Sequence, residues 1–402
     1  MKRPLTILLL CLMAATSLAN DAAFLASGNH LIPIHESQVR VQKEILKLNF
    51  VNGRVLIDVY YEFFNPGNDK DILVGFEAAP PYPFSLDDIM PNRHHPNIFD
   101  FSVVMNGTRL PYDVAMVPLS YYDESPNSPD PFYLKDGAIN ALSQHQIDST
   151  IQNYEYITDD SPFFYVYHFN AHFKKGLNIV RHTYSYIPSS SVEYSHTITY
   201  ILTAANRWAN KQIDDFTLEI DMGECQSFAI TPTFFKNVRD WQIRGKCRTS
   251  SIQVYSFDGD KIYAPYFHMQ KGSLRFKAKN FHPDGELDIN VPIQHLFFSS
   301  SAAEIVDDIR SRYYDLDLGF ETPQQFQEWL DEKKSDGLLQ ASALHKKILR
   351  NLPFAKRGYI FKTKALQQFY ESTDWYLPNP AYKAEPEKLP QAEQIWINFF
   401  TD

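Results

Sequence analysis

Between Gly337 and Tyr370 the chain has no acidic residue, yet it carries Lys346, Lys347, Arg350, Lys356, Arg357, Lys362 and Lys364. In a chain of formal net charge −10, a local positive excess of this kind suits an anionic partner: a wall polymer, a lipopolysaccharide phosphate or an acidic protein face. The alternative is a solvated helix face whose charges are balanced by acids in space. Other reactive residue types are present without a working pattern. His94 and His95 are adjacent in a loop-like stretch, and neighbouring ligands need further partners to hold one zinc ion. His168 and His172 would share a strand face but stand about 13 Å apart at strand rise. There is no Cys-x-x-Cys, His-Glu-x-x-His or EF-hand loop, so no metal site is expected. There is no Gly-x-Ser-x-Gly elbow and no Gly-rich phosphate loop. Ser195-His196 are neighbours in sequence only. The acid pairs Asp159-Asp160, Asp214-Asp215 and Asp307-Asp308 fall at turns or on a helix face, whereas catalytic pairs come from different elements across a cleft. The expectation is therefore a protein with no catalytic residue and no cofactor.

The first residues carry an export pattern. Lys2 and Arg3 precede an apolar run from Leu5 to Ala15, and Ser17-Leu18-Ala19 offers small residues for a peptidase. Cleavage is expected after Ala19, which places the mature chain in the periplasm or outside the cell. An uncleaved anchor is the alternative, although the run falls short of the about 20 apolar residues a membrane span requires. Leu10 before Cys11 does not fit a lipoprotein signal, and no later stretch is apolar enough to span a bilayer. Losing Lys2 and Arg3 takes the net charge from −10 to −12; so acidic a chain is no general nucleic-acid binder. Of three cysteines, Cys225 and Cys247 remain. In an oxidising compartment an isolated pair is a disulfide candidate, and closing that loop would stabilise by about 3 kcal/mol. Two free thiols are the alternative.

The elements that must position these groups divide the chain. Its 30 Phe, 24 Tyr and 5 Trp against 15 Gly favour sheet. Val55, Ile57, Val59, Tyr61 and Phe63 alternate with Asp58 and Glu62, a half-buried strand. Asn52-Gly53, between this run and 44–50, predicts a hairpin. Asn106-Gly107 predicts a second, between 101–105 and 109–114, and Asp258-Gly259 a third. Further strands are read at 177–187, 197–202, 216–222 and 274–279. Residues 118–131 read as a loop, and 138–152 as a short helix. Strands bounded by turns, without long helices between them, argue for an antiparallel β-sandwich. Beyond Ser301 the period turns helical. Ala303, Val306, Ile309 and Tyr313 form a stripe, Thr322-Pro323 opens a helix, and Leu344, Ile348, Leu349 and Leu352 share a face. Residues 391–399 form a last amphipathic helix.

Two resemblances go with these segments. Ser27-Gly28-Asn29-His30-Leu31-Ile32-Pro33, Thr203-Ala204-Ala205-Asn206-Arg207-Trp208 and the stretch from Ile213 to Ile220 resemble an exported bacterial family called domain of unknown function 4424. That resemblance implies export and a sheet-rich domain, and no catalytic residue. Arg350-Asn351, Phe354-Ala355-Lys356-Arg357-Gly358-Tyr359-Ile360-Phe361 and Trp375-Tyr376-Leu377-Pro378 resemble the YARHG domain of bacterial extracytoplasmic proteins. This implies a small helical module of the kind attached to other secreted or membrane-tethered domains. The chain departs at the naming motif, with Phe354 for Tyr, Lys356 for Arg and Arg357 for His, so a function resting on that His is absent. Pro353 lacks a backbone N–H and disfavours helix at Leu352, which predicts a break or kink there. Gly358 suits a left-handed helix cap.

The organisation expected is a signal peptide over 1–19, a mainly β domain over 20–298 with a division near 117–165 left open, and a small all-α domain over 299–402. The function expected is an exported, non-catalytic cell-envelope protein that binds an envelope component or a protein partner. An extracytoplasmic enzyme with a dispersed active site and an oligomeric scaffold are the alternatives.

Overall fold

Alternating apolar side chains build the strands. Val55, Ile57, Val59, Tyr61 and Phe63 are each at most 2% exposed, because period two sends them all to one face of the strand. The computed structural model describes residues 28–29, 31–33, 38–78, 94–118, 134–135, 138–139, 141–152, 163–191, 193–255, 260–292, 327–328, 331 and 343–401. The principal strands are β1 (Arg40–Val51), β2 (Arg54–Asn65), β3 (Lys70–Ala78), β4 (Ile98–Met105), β5 (Asp113–Pro118), β6 (Phe163–Phe173), β7 (Gly176–Tyr186), β8 (Tyr194–Ile201), β9 (Ile213–Asp221), β10 (Gln226–Ile230), β11 (Trp241–Tyr255), β12 (Lys261–Phe281) and β13 (Leu287–Pro292). Among the described residues a short helix, α1 (Gln144–Gln152), lies between β5 and β6 in sequence. Residues Ala138–Ile139, expected as the start of that helix, instead pair as a two-residue strand with Leu134–Lys135.

The larger sheet runs β8-β13-β10-β12-β9-β1-β2-β7-β4, with Gly28–Asn29 and Thr108–Arg109 at its ends and β11 on the far side of β12. The smaller sheet is Ile32–Pro33, β3, β6 and β5. Pairing is antiparallel, as expected, except that β1 lies parallel to β9 and Gly28–Asn29 parallel to β8. The Asn52-Gly53 hairpin forms, joining β1 to β2 with Val51 opposite Arg54. The Asn106-Gly107 hairpin is shorter than expected: β4 pairs with Thr108–Arg109 only, and the chain then leaves to form β5 in the other sheet. The Asp258-Gly259 turn, residues 119–131, the export segment and the stripe from Ala303 to Tyr313 lie outside the described residues.

Aromatic side chains join the layers. Phe76 of β3 meets Phe101 of β4 at 5.4 Å and Tyr184 of β7 at 4.9 Å between ring centroids. Phe63 of β2 meets Phe173 of β6 edge-on at 5.6 Å. The β8 flank of the large sheet faces the strands at its centre: Phe50 of β1 contacts the His196 ring at 4.7 Å, and the Tyr186 hydroxyl of β7 donates to the Thr199 carbonyl. The main hydrophobic core therefore runs from Leu31 to Val291. β5 and β6, which border the segment near 117–165, pair with each other within it. Each ring removed from water contributes about 1.5–3 kcal/mol. The Thr203–Arg207 turn ends in Trp208, whose indole N–H donates to Leu31 O at 2.9 Å.

The β11–β12 ribbon holds the large sheet together. β10 pairs with β12 at 266–269 and β9 pairs with it at 274–281, so the two lie end to end along one side, while β11 follows the other side. At the junction Gly245 and Gly272 face each other, with φ of +140° and +117°. A Cβ at Gly272 would lie 2.0 Å from Arg244 O, and one at Gly245 would lie 2.1 Å from Lys271 O. The register slips by one residue between Lys246 and Cys247, a bulge of the kind that bends and twists a ribbon. Gly107, also at positive φ, has open space where its Cβ would be. Gly107→Ala should therefore cost about 1 kcal/mol from backbone conformation alone. Gly272→Ala should cost clearly more, because its methyl also overlaps a carbonyl. Urea denaturation of the two variants checks the difference; equal losses would contradict the close approach.

Candidate binding surface and its docking seam

Among the described residues of the C-terminal module, helices α2 (Ala343–Lys356), α3 (Lys364–Glu371) and α4 (Gln391–Phe399) pack together. On α2, Ile348, Leu349, Leu352 and Ala355 are buried at helical spacing in a second hydrophobic core with Tyr370, Tyr376 and Trp396. Leu344, expected on that face, is exposed. Of the break or kink expected at Pro353, the break does not occur; α2 continues through Pro353 to Lys356. The reason is a substitute donor. Pro353 cannot bond the carbonyl four residues back, Leu349 O, and the Trp396 indole N–H of α4 takes that carbonyl at 2.7 Å. The Tyr370 hydroxyl of α3 likewise donates to Ile348 O. The helix then ends as the sequence suggested. Gly358 has φ +81°, its N–H donates to Ala355 O at 2.8 Å, and Tyr359 N–H donates to Phe354 O at 3.0 Å. Those two bonds are the Schellman pattern.

The module is seamed to the β11–β12 ribbon just beyond its paired glycines. Lys246 Nζ donates to Asn379 Oδ1 at 2.9 Å, Arg248 Nη1 to Tyr376 O at 3.2 Å and Gln270 Nε2 to Leu377 O at 2.8 Å. Gly358 sits at the closest approach, where a Cβ would come within 2.3 Å of Leu377 O and 2.6 Å of Gln270 Nε2. His268 is buried in the seam. Ser227 Oγ lies 3.0 Å from its Nδ1, Ser250 Oγ 3.0 Å from its Nε2, and Asp374 Oδ2 of the module 3.4 Å from Nε2. Burial pushes the imidazole down to about 4, against the pull of Asp374, so at neutral pH the contact is a hydrogen-bonded relay and not an ion pair. Two serines, a histidine and an aspartate thus meet from four separate segments of the chain. The cavity beside them, lined by Ser227, His268, Gln270 and Trp375, holds about 20 Å³, room for about one water molecule.

The basic residues separate into two sets. Lys347, Arg350, Lys362 and Lys364 are exposed and Lys346 is half-buried; among the described residues none of these five forms an ion pair. On α2, Lys346, Lys347 and Arg350 occupy the face away from the core. Lys364 opens α3, where the helix dipole disfavours a cation, and no acid offsets it in that first turn. Arg357 belongs to the other set. Its Nη1 lies 2.8 Å from Glu393 Oε2 of α4 and donates to Pro353 O at 2.9 Å. Lys356 is half-buried beside it, and its carbonyl accepts from Cys225 Sγ at 3.4 Å.

The expected Cys225–Cys247 disulfide is corrected by the structure, where both are free thiols. Cys225 N–H bonds Gln270 O on one side of β12, and Cys247 faces Met269 from the other side. Two strand spacings of about 4.8 Å separate them, beyond the about 7 Å Cα separation a disulfide tolerates. Burial pushes both thiols up, Cys247 to about 11. The histidines singled out in the sequence have local roles: His95 Nδ1 accepts from Asn97 N–H, and His172 lies 2.9 Å from Asp71. Ser195 Oγ donates to Val291 O while the His196 ring packs on Phe50, so the two make no dyad. Asp215 pairs with Lys279, and Asp214 accepts from Asn210 and Gln212. Asp159-Asp160 and Asp307-Asp308 lie outside the described residues. Among the described residues no group of three or more His, Cys, Asp or Glu is arranged to hold a metal, and no helix is long and apolar enough to cross a membrane.

Residues 332–400 match the YARHG domain. No curated protein matches the chain in sequence. Among solved structures, one similar chain is a Legionella pneumophila protein whose description proposes nutrient binding. It shows 16% identity and a TM-score of 0.45, with 95% of this chain and 99% of that chain covered.

Trp396→Phe should destabilise the module by about 1–3 kcal/mol, the cost of an unsatisfied buried acceptor. Pro353→Ala, by restoring a donor to Leu349 O, should recover much of that loss in the double variant; strictly additive effects in thermal melts would contradict the substitution of Trp396 for the missing N–H. A second expectation concerns pH. His268 binds its proton less readily folded than unfolded, so stability should fall as pH drops from about 6.5 towards about 4. His196, lowered to about 4 by burial, contributes to the same slope. In His268→Gln the slope should be shallower, and an unchanged slope would contradict the burial of a neutral imidazole.

Proposed function

We propose that this chain is an exported, non-catalytic cell-envelope protein whose β-sandwich holds the helical module as a head for an anionic envelope component. The observation that carries the reading is the set Lys346, Lys347, Arg350, Lys362 and Lys364, five cations without an ion-pair partner among the described residues of a chain with net charge −10. A helix face kept only for solubility would gain from acids four residues away; here the whole stretch from Leu338 to Phe369 has none. Lys364 stands at the helix end where a cation costs stability, which favours a role in recognition. The match of 332–400 to the YARHG domain and the apolar run at Leu5–Ala15 support a place outside the cytoplasm. Against catalysis stands the size of the space beside Ser227 and His268: about 20 Å³ does not admit an organic substrate.

Replacing Lys346, Lys347, Arg350, Lys362 and Lys364 by Gln tests this. The unaltered chain should be retained by envelope fractions at low salt and released as the screening length falls from about 10 Å at 0.1 M to about 3 Å at 1 M. The variant should be released at every salt concentration while melting at the same temperature. Equal retention of the two chains, or retention indifferent to salt, would overturn the proposal.

A further inference from the structure

The helical module also holds a cleft of about 290 Å³, lined by Arg357, Tyr382, Lys383, Glu385, Lys388 and Leu389, with Ala381 at its edge. It is separate from the exposed cations of α2 and α3. Hydrogen-bond donors without protein partners converge on it. Arg357 is anchored through Nη1 alone, to Glu393 and to Pro353 O; its Nε and Nη2 groups make no hydrogen bond among the described residues. The Tyr382 hydroxyl, half-buried beside Arg357, makes none either, although Tyr O–H groups in such surroundings usually find a partner. Burial pushes its phenol up, against the pull of Arg357, so it remains a neutral O–H donor. Lys383 is exposed at the rim and forms no ion pair among the described residues, and Lys388 is paired with Glu385. The lining thus supplies three cations against one carboxylate. Glu393 lies behind Arg357 and holds its guanidinium in place.

We propose that this cleft is a receptor for one oxyanion, a carboxylate or a phosphate, carried on a body no larger than a monosaccharide. Two features select that class. A planar guanidinium fixed at one nitrogen presents its remaining N–H groups as a fork suited to two anion oxygens, with the Tyr382 hydroxyl as a third donor. The volume lies at the lower limit for small-molecule sites, and Leu389, Ala381 and the Tyr382 ring give the ligand body an apolar wall. Arg357 stands at the position where the YARHG motif normally has His, so this chain places a permanent cation there.

Calorimetric titration of the whole chain with D-glucuronate, inorganic phosphate and D-glucose tests the proposal. Glucuronate or phosphate should bind and the neutral sugar should not; which of the two binds distinguishes a carboxylate from a phosphate ligand. Tyr382→Phe, which removes only the hydroxyl, should weaken binding by about three- to tenfold, and Lys383→Ala should weaken it further and reduce its salt dependence. Arg357→Lys should weaken it by about tenfold or more; should that variant misfold by freeing Glu393, the Tyr382→Phe result still decides. The chain with the five surface cations replaced should keep its glucuronate or phosphate affinity, so this site and the envelope surface fail independently. Absence of binding by both anions, equal binding of glucose, or affinity unchanged in both Tyr382→Phe and Lys383→Ala would overturn the site.

Discussion

A single antiparallel ribbon organises this molecule, and it depends on two backbones approaching where no side chain fits. Gly245 and Gly272 face each other at positive φ, each with a carbonyl oxygen too close for a Cβ, at 2.1 and 2.0 Å. On one side of that point β12 pairs with β9, on the other with β10. The ribbon can therefore serve the centre of the large sheet and the flank that folds across it. The residues just past the glycines, Lys246, Arg248, Ser250, His268 and Gln270, are those that grip the helical module. The same geometry keeps Cys225 and Cys247 apart, because β12 lies between them. Stability among the described residues comes from strand pairing and aromatic burial, and Cys225 and Cys247 stay free.

The helical module mends a gap in its own backbone hydrogen bonding with side-chain donors. A proline inside a helix removes a donor and exposes a carbonyl, a loss of about 3 kcal/mol or more in an isolated helix. Here Trp396 supplies the missing N–H to Leu349 O and Tyr370 supplies an O–H to Ile348 O. Both donors come from aromatic residues already buried in the small core, so the packing that orders α3 and α4 also repairs α2. Arg357, fixed between Pro353 O and Glu393, extends the repair to the end of the helix. The outer face of α2 is left free of structural work, and it is there that Lys346, Lys347 and Arg350 stand.

Local signals in the sequence were legible at several elements with one buried face. The alternation from Val55 to Phe63, the Asn52-Gly53 hairpin, the helix at 391–399 and the Gly358 cap all depend on neighbours within a few residues. β11 was missed because most of its side chains are exposed, which leaves no alternation to read. The parallel pairing of β1 with β9 joins segments about 170 residues apart, and nothing local encodes it. That α2 runs on without a break at Pro353 was not legible, because the donor that replaces the missing N–H, Trp396, lies 43 positions further on. Cys225 and Cys247 looked like partners because composition shows two cysteines but not the strand between them. The meeting of Ser227, Ser250, His268 and Asp374 exists only once the ribbon is folded and the module is docked. The basic run, by contrast, was legible in full; the structure adds the division between five exposed or half-buried cations and an Arg357 held by Glu393.

These features describe a β-sandwich that fixes a small helical head by side-chain hydrogen bonds to a stiff ribbon, with uncompensated positive charge turned outward. The central claim is that this outward face of α2 and the start of α3 is where the protein meets its partner. Hydrogen exchange of the whole chain, read by mass spectrometry with and without an anionic envelope extract, addresses it most directly. Slowed exchange confined to residues 343–364 at low ionic strength, and lost at high ionic strength, is the predicted result. Protection elsewhere on the sandwich with none in 343–364 would contradict it.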